Sequence, residues 1–103
     1  MRHALLISRD ARWALDLARR WVAAGDTVTA VLLDRSVALA RPGHADADAV
    51  TAAVAGGVAV NAHDDALRRR GLAGAPLADG VKPVDLDEIA DLVSDGSDRA
   101  VWL

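Results

Sequence analysis

The sequence predicts a single three-layer α/β domain over residues 1–103, built on a five-stranded, mainly parallel sheet. Two observations carry that expectation. Five short apolar runs (Ala4–Ile7, Val28–Leu33, Val58–Val60, Val81–Val84 and Ala100–Leu103) are continuous rather than alternating, as in strands covered on both faces. Segments of helical period separate them, which gives the order β-α-β-α-β-α-β-α-β. With 52% hydrophobic residues in 103, the chain can bury one core and is too short for two domains.

Each element has its own signal. The first run leads into a helix over Asp10 to Ala24. With Trp13 at zero and 100° per residue, Leu17, Trp21, Ala14, Ala18, Ala11, Val22 and Leu15 fill an arc of about 200°. Arg12, Asp16, Arg19 and Arg20 fill the remainder, and Gly25 supplies a left-handed stop. That arc is wider than one sheet face requires. Trp13, Leu17 and Trp21 are therefore expected to meet another helix or another subunit. The connection from Asp34 to His44 has room for a helical turn. A second helix spans Ala45–Ala55, opened by Asp46 and Asp48 and closed by Gly56-Gly57. A third spans Asp64–Arg70 and stops at Gly71. The fourth opens with Asp85 as N-cap and Glu88 three residues on, an acidic capping box, and Leu86, Ile89, Ala90 and Val93 follow the helical spacing. Pro83 has no N–H to donate, so its strand should be short and close to a sheet edge.

Composition excludes several function classes. Twelve basic against fifteen acidic residues leave a net charge of −3, the wrong sign for direct nucleic-acid binding through phosphate neutralisation. Aromatics are 3% of the chain, three Trp with no Tyr or Phe, too few for a base-stacking platform. There is no Cys, which removes disulfides, thiolate metal sites and every thiol-based step of the chain's own. The first apolar run is too short for a signal-peptide core and no segment is apolar enough to span a bilayer. A soluble, cytoplasmic protein without membrane contact is expected.

In open parallel sheets ligands collect beyond the carboxyl ends of the strands. Those ends carry Ser8-Arg9, Asp34-Arg35-Ser36 and Asn61-Ala62-His63. Ser8, Arg9, Asp34, Ser36, Asn61 and His63 are thus the candidate ligand-binding residues, suited to a small anion with help from free N–H groups at a helix start. The same residue types also serve as ordinary caps and turns. His63-Asp64-Asp65 is a poor metal site, because adjacent helical residues point in different directions. Arg68-Arg69-Arg70 complements the dipole of its helix, opposite Asp64 and Asp65. No nucleophile elbow, phosphate loop, dinucleotide fingerprint or zinc-protease motif occurs. Ser94 and Ser97 lack a neighbouring His to activate them. No catalytic residue, metal or cofactor is expected.

The second half of the chain carries a resemblance. Asn61-Ala62-His63-Asp64-Asp65-Ala66-Leu67-Arg68-Arg69-Arg70-Gly71-Leu72 resembles the strand–helix stretch of the DsrE/DsrF/DsrH-like family that ends Leu-x-x-Arg-Gly-Leu. The stretch from Gly80-Val81-Lys82-Pro83-Val84-Asp85 to Leu92-Val93 is similar to that family's Gly-Val-x-x-Val-Asp segment. Asp98-Arg99-Ala100-Val101-Trp102 resembles the closing strand of DsrH/TusB-type members, and Val31–Val37 the second strand and its loop. The resemblance implies a compact α/β domain with the first strand central and the last beside it. It further implies work in homo- or hetero-oligomers that relay persulfide sulfur. Relatives that carry sulfur place a Cys where Asn61-Ala62-His63 stands here. Neither Asn nor His can hold a persulfide. The leading expectation is a non-catalytic, TusB-like subunit that assembles with itself or with Cys-bearing DsrE/F-like chains. The alternative is a small-anion or metabolite-binding domain using the strand ends. An enzyme with His63 as acid or base and Asp64 or Asp65 as partner is the least supported reading.

Overall fold

A computed structural model describes residues 1–103. In it β1 (Arg2–Ile7) leads to α1 (Ala11–Ala23), β2 (Thr27–Leu32), a 3-10 segment (Asp34–Ala40), α2 (Ala47–Ala55) and β3 (Ala59–His63). Then come α3 (Asp64–Arg69), β4 (Val81–Val84), α4 (Leu86–Ser94) and β5 (Arg99–Trp102). The sheet order is β4-β3-β2-β1-β5 and all four pairings are parallel. β5 lies beside β1, as expected. The middle strand, however, is β2, and β1 is the interior strand next to it. Pro83 sits in a four-residue edge strand, where a missing N–H costs no ladder bond on the open side.

Crossover handedness explains how the helices are shared between the faces. The first three connections step in one direction along the sheet, and right-handed crossovers then put their helices on one face. The connection from β4 to β5 runs back the other way, so α4 falls on the opposite face. The resulting layers are unequal. One face holds a core of 20 buried residues from β1, β2, β3, α1, α2, α3 and the 3-10 segment, Leu5, Ile7, Leu15 and Leu32 among them. On the other face Ala4, Val31, Val84 and Ile89 are buried, and Leu6, Leu33 and Leu92 pack against the last three. The continuous apolar runs predicted strands covered on both faces; three helical elements and the 3-10 segment cover one face, and a single nine-residue helix the other.

Element ends differ from the apolar runs because backbone pairing continues through polar residues. Arg2 and His3 pair with Thr27 and Val28 of β2, so β1 begins two residues before Ala4. β3 runs on to His63, since Asn61 and Ala62 pair with both β2 and β4. Helix α1 starts at Ala11 rather than Asp10, which is left-handed with φ 52. α2 starts at Ala47, two residues later than Ala45. Gly25 stops the first helix with φ 103. The capping box at α4 is complete: the Asp85 carboxylate accepts from the Glu88 N–H at 2.8 Å, and the Asp85 N–H donates to Glu88 Oε1 at 3.3 Å.

Trp21 finds its partner within the chain. It stacks on the buried His3 ring, with centroids 4.6 Å apart, and His3 Nε2 lies 3.0 Å from the Asp26 carboxylate. Four carboxylates are more acidic than usual through such pairing: Asp26 by the His3 hydrogen bond, Asp48 by Arg12, Asp65 by Arg68 and Asp98 by Arg2. A carboxylate with a lowered folded-state pKa stabilises the fold above its unfolded value, and that contribution is lost as pH falls through the folded value. The melting temperature is therefore expected to drop as pH falls below about 4. Thermal melts of the wild type and of Asp26→Asn and Asp98→Asn variants check this. The variants should show a shallower acid slope, and an unchanged slope would contradict the assignment.

Candidate functional site

An open cleft of about 1030 Å³ lies on the three-helix side of the sheet. Its walls are α1 and α2, its floor is the 3-10 segment, and Arg70 closes it from just beyond α3. Two local conformations shape it. Asp10, after β1, and Asp34, after β2, are the two non-glycine residues with positive φ, at 52° and 49°. Aspartate tolerates this region better than most residues. Each marks a sharp exit from the carboxyl end of a strand. Arg9 precedes one of these turns, Arg35 follows the other, and both line the cleft.

Charge pairing sorts the cleft's side chains into two groups. Arg12 donates to Asp46 at 3.2 Å and to Asp48, which holds the Asp48 carboxyl below its usual range and raises the Arg12 guanidinium. Arg19 lies 3.6 Å from Asp16. These arginines clamp α1 to the start of α2 or brace α1 itself. Arg9, Arg35 and Arg70 make no ion pair or side-chain hydrogen bond, and the remaining cleft carboxylate is Asp10. Within a chain of net charge −3, the cleft thus presents a local excess of positive charge. Trp13 lies on its rim with 61% of its surface exposed. Arg12→Ala should free both α2 carboxylates and return Asp48 to ordinary carboxylate acidity, which a carboxyl-carbon NMR titration would read directly. An Asp48 that stayed unusually acidic in the variant would contradict the pairing.

The six candidate ligand residues do not form one site. Arg9 and Ser36 line the cleft, Ser36 being nearly buried at its floor. Asp34 is exposed beside it but outside the lining. The Ser8 hydroxyl donates to the Leu103 carbonyl at 2.7 Å and the Ser8 N–H to the same oxygen at 3.0 Å. That contact joins the carboxyl ends of β1 and β5. Asn61 and His63 alternate onto the α4 side of β3. Asn61 there lines a smaller groove of about 240 Å³, with Thr29, Lys82, Glu88 and Leu92. The sheet itself separates these two from Arg9 and Ser36. Of the expected interface residues, Trp13 is exposed, Leu17 half-buried and Trp21 stacked on His3.

The run His63-Asp64-Asp65 does not converge on a common point, since Asp65 accepts from Arg68 at 2.8 Å and lies 3.0 Å from Arg69. The basic run after it divides. Arg68 and Arg69 brace their own helix, whereas Arg70, the first residue beyond it, reaches the cleft. Arg35, His44 and Arg70 also line the cleft without having been ligand candidates, and Trp13, expected at an interface, stands on its rim. A three-residue arginine run with only two acidic residues on its helix was the available signal for Arg70.

The strand order and the three-to-one division of helices define a DsrE-like α/β fold. The chain is similar to the ychN protein of E. coli, with a TM-score of 0.85 and 19% identity over 100% of both chains. It is also similar to MTH1491 of Methanobacterium thermoautotrophicum, a protein of unknown function, with a TM-score of 0.83 and 21% identity over 99% of this chain and 98% of that one. No protein-family model and no curated protein matches the sequence. No helix is long and apolar enough to cross a membrane.

Proposed function

We propose that this chain is a non-catalytic subunit of a DsrE/F/H-like sulfur-relay assembly, TusB-like in lacking a sulfur-carrying Cys, and that it works through association. The observation that carries this reading is the undercovered face of the sheet. In register with Leu6, whose side chain packs under α4, Trp102 points to the same side and is 69% exposed. On α4, with Ile89 buried as zero, Leu86, Val93 and Ala90 lie between about 40° and 100° on one flank. Leu86 is 68% exposed and Val93 39%. Ala59 of β3 and Ala100 of β5 are also exposed on this face. A parallel sheet normally has both faces covered, and large apolar side chains grouped on one face mark an interaction surface.

Sulfur chemistry limits the role further. A persulfide needs a thiol sulfur, and the chain has no Cys. In a relay it therefore holds or orients thiol-bearing partners, homologous Cys-containing chains, without loading sulfur itself.

Light scattering on the purified chain, alone and mixed with a Cys-bearing DsrE/F-like chain, tests the reading. A mass above the 10.7 kDa of one chain is expected, reverting toward it in a Leu86→Glu/Trp102→Glu variant that keeps its far-UV circular dichroism. A chain that stays monomeric at high concentration under both conditions overturns it.

A further inference from the structure

We infer that the arginine cleft between α1 and α2 binds a phosphorylated ring compound of the nucleoside di- or triphosphate class, with Arg9, Arg35 and Arg70 on the phosphates and Trp13 against the ring. This goes beyond the association reading and lies on the opposite side of the sheet from the surface that carries it.

The chain's arginines divide into paired and free ones. Of eleven in the chain, Arg2, Arg12, Arg19, Arg20, Arg68 and Arg69 each lie against an aspartate. Five have no such partner, and three of those five, Arg9, Arg35 and Arg70, line this one cleft although they come from three different connections. Three unneutralised guanidinium groups facing one space repel one another, and a polyvalent anion relieves that repulsion. Guanidinium forks match phosphate oxygens in pairs, which suits a chain of phosphates better than a single carboxylate. Of the four carboxylates in the lining, three are engaged elsewhere, Asp46 and Asp48 by Arg12 and Asp16 by Arg19 and Arg20, which leaves Asp10 alone against the three free guanidinium groups.

The ring half of the ligand follows from Trp13. An indole with 61% of its surface exposed on the rim of a charged cleft offers a flat face for stacking, and Ala11, Ala49 and Ala52 supply small apolar walls beside it. The volume, about 1030 Å³, is at the top of the range for small-molecule sites and exceeds what a bare phosphate would fill. A nucleic-acid strand is the weaker occupant, because the chain as a whole is acidic and a longer polyanion would extend over its negative surface.

The test is titration of the full chain with ATP, ADP and pyrophosphate at low salt, followed by calorimetry and Trp fluorescence. ATP is expected to bind and quench fluorescence, and pyrophosphate to bind more weakly. Arg35→Gln/Arg70→Gln should weaken ATP by at least tenfold for each guanidinium removed, roughly the worth of one charged hydrogen-bonded contact. Trp13→Ala should weaken ATP while leaving pyrophosphate unchanged. All three side chains are exposed, so melting temperature and assembly mass should stay at wild-type values. Failure of ATP to bind at millimolar concentration, equal binding by the arginine variant, equal ATP affinity in Trp13→Ala, or tighter binding of a short oligonucleotide would each overturn the inference. Loss of assembly mass in these variants without loss of binding would also overturn it, by showing that the cleft is a subunit contact.

Discussion

Leu5→Ala is expected to destabilise the fold by about 3 kcal/mol, within the range for emptying a fully buried leucine site. Leu5 lies on β1, between β2 and β5, and is completely buried against α1 on the three-helix face. Its surroundings cannot easily collapse into the space. Much of that core is alanine: Ala14 and Ala18 on α1, Ala49 and Ala53 on α2, Ala30 and Ala62 on the strands. Alanines have no side-chain torsion with which to refill a void, so the cavity term should stay near its full size. For a domain of this length, with a stability of roughly 5–15 kcal/mol, that is a large fraction of the total. Urea denaturation should show the midpoint falling with the slope unchanged. A loss under about 1 kcal/mol would mean that the core relaxes, contrary to its alanine-rich packing. Leu6→Ala, one residue along on the thinner face and only half-buried, should cost clearly less.

That contrast between adjacent leucines separates what the sequence discloses from what it does not. Apolar runs and helical periods disclose the elements, their order and the parallel sheet, because those depend on local period and on the need to bury both strand faces. The Asp85–Glu88 capping box and the Gly25 stop were legible for the same reason: each is a contact within one turn. The inequality of the two layers was not. Leu5 and Leu6 are the same residue type, and only the strand order, with α4 alone returning over the far face, gives them different neighbours. The extension of β1 through Arg2 and His3 was hidden because backbone pairing there is indifferent to side-chain polarity. The candidate site was legible in part, since the rule that ligands collect at strand ends points to Arg9 and Ser36. It could not separate the two faces of β3 from the cleft, because alternation places Asn61 and His63 on the α4 side only once the register is known. Arg70 was concealed by its neighbours. As one of three arginines at a helix end it is explained by the dipole, and only the ion pairs of Arg68 and Arg69 with Asp65 leave it over.

Gly80→Ala is expected to cost roughly 2–4 kcal/mol, the sum of a backbone and a packing contribution. Gly80 has φ +87, and a Cβ built on it would lie 2.6 Å from Cγ1 of Val54 on α2. The close approach arises where the chain turns into β4: the Val81 N–H donates to the Ala78 carbonyl at 3.0 Å, bringing the edge strand against the end of α2. Valine has a stiff χ1 and cannot swing aside at low cost, so backbone must shift. The two contributions can be separated by a double-mutant cycle with Val54→Ala. In that background the steric part should disappear, leaving the left-handed backbone penalty of about 1–2 kcal/mol. The coupling between the two sites should therefore be favourable by 1 kcal/mol or more, read from chemical denaturation of the four proteins. Strict additivity would show that the contact is not strained. Because β4 leads directly into α4, whose outer flank carries Leu86 and Val93, the proposed association predicts that a shift at Gly80 also lowers the mass in solution and that Val54→Ala restores it. Restoration of stability without restoration of mass would separate the turn from the proposed association surface.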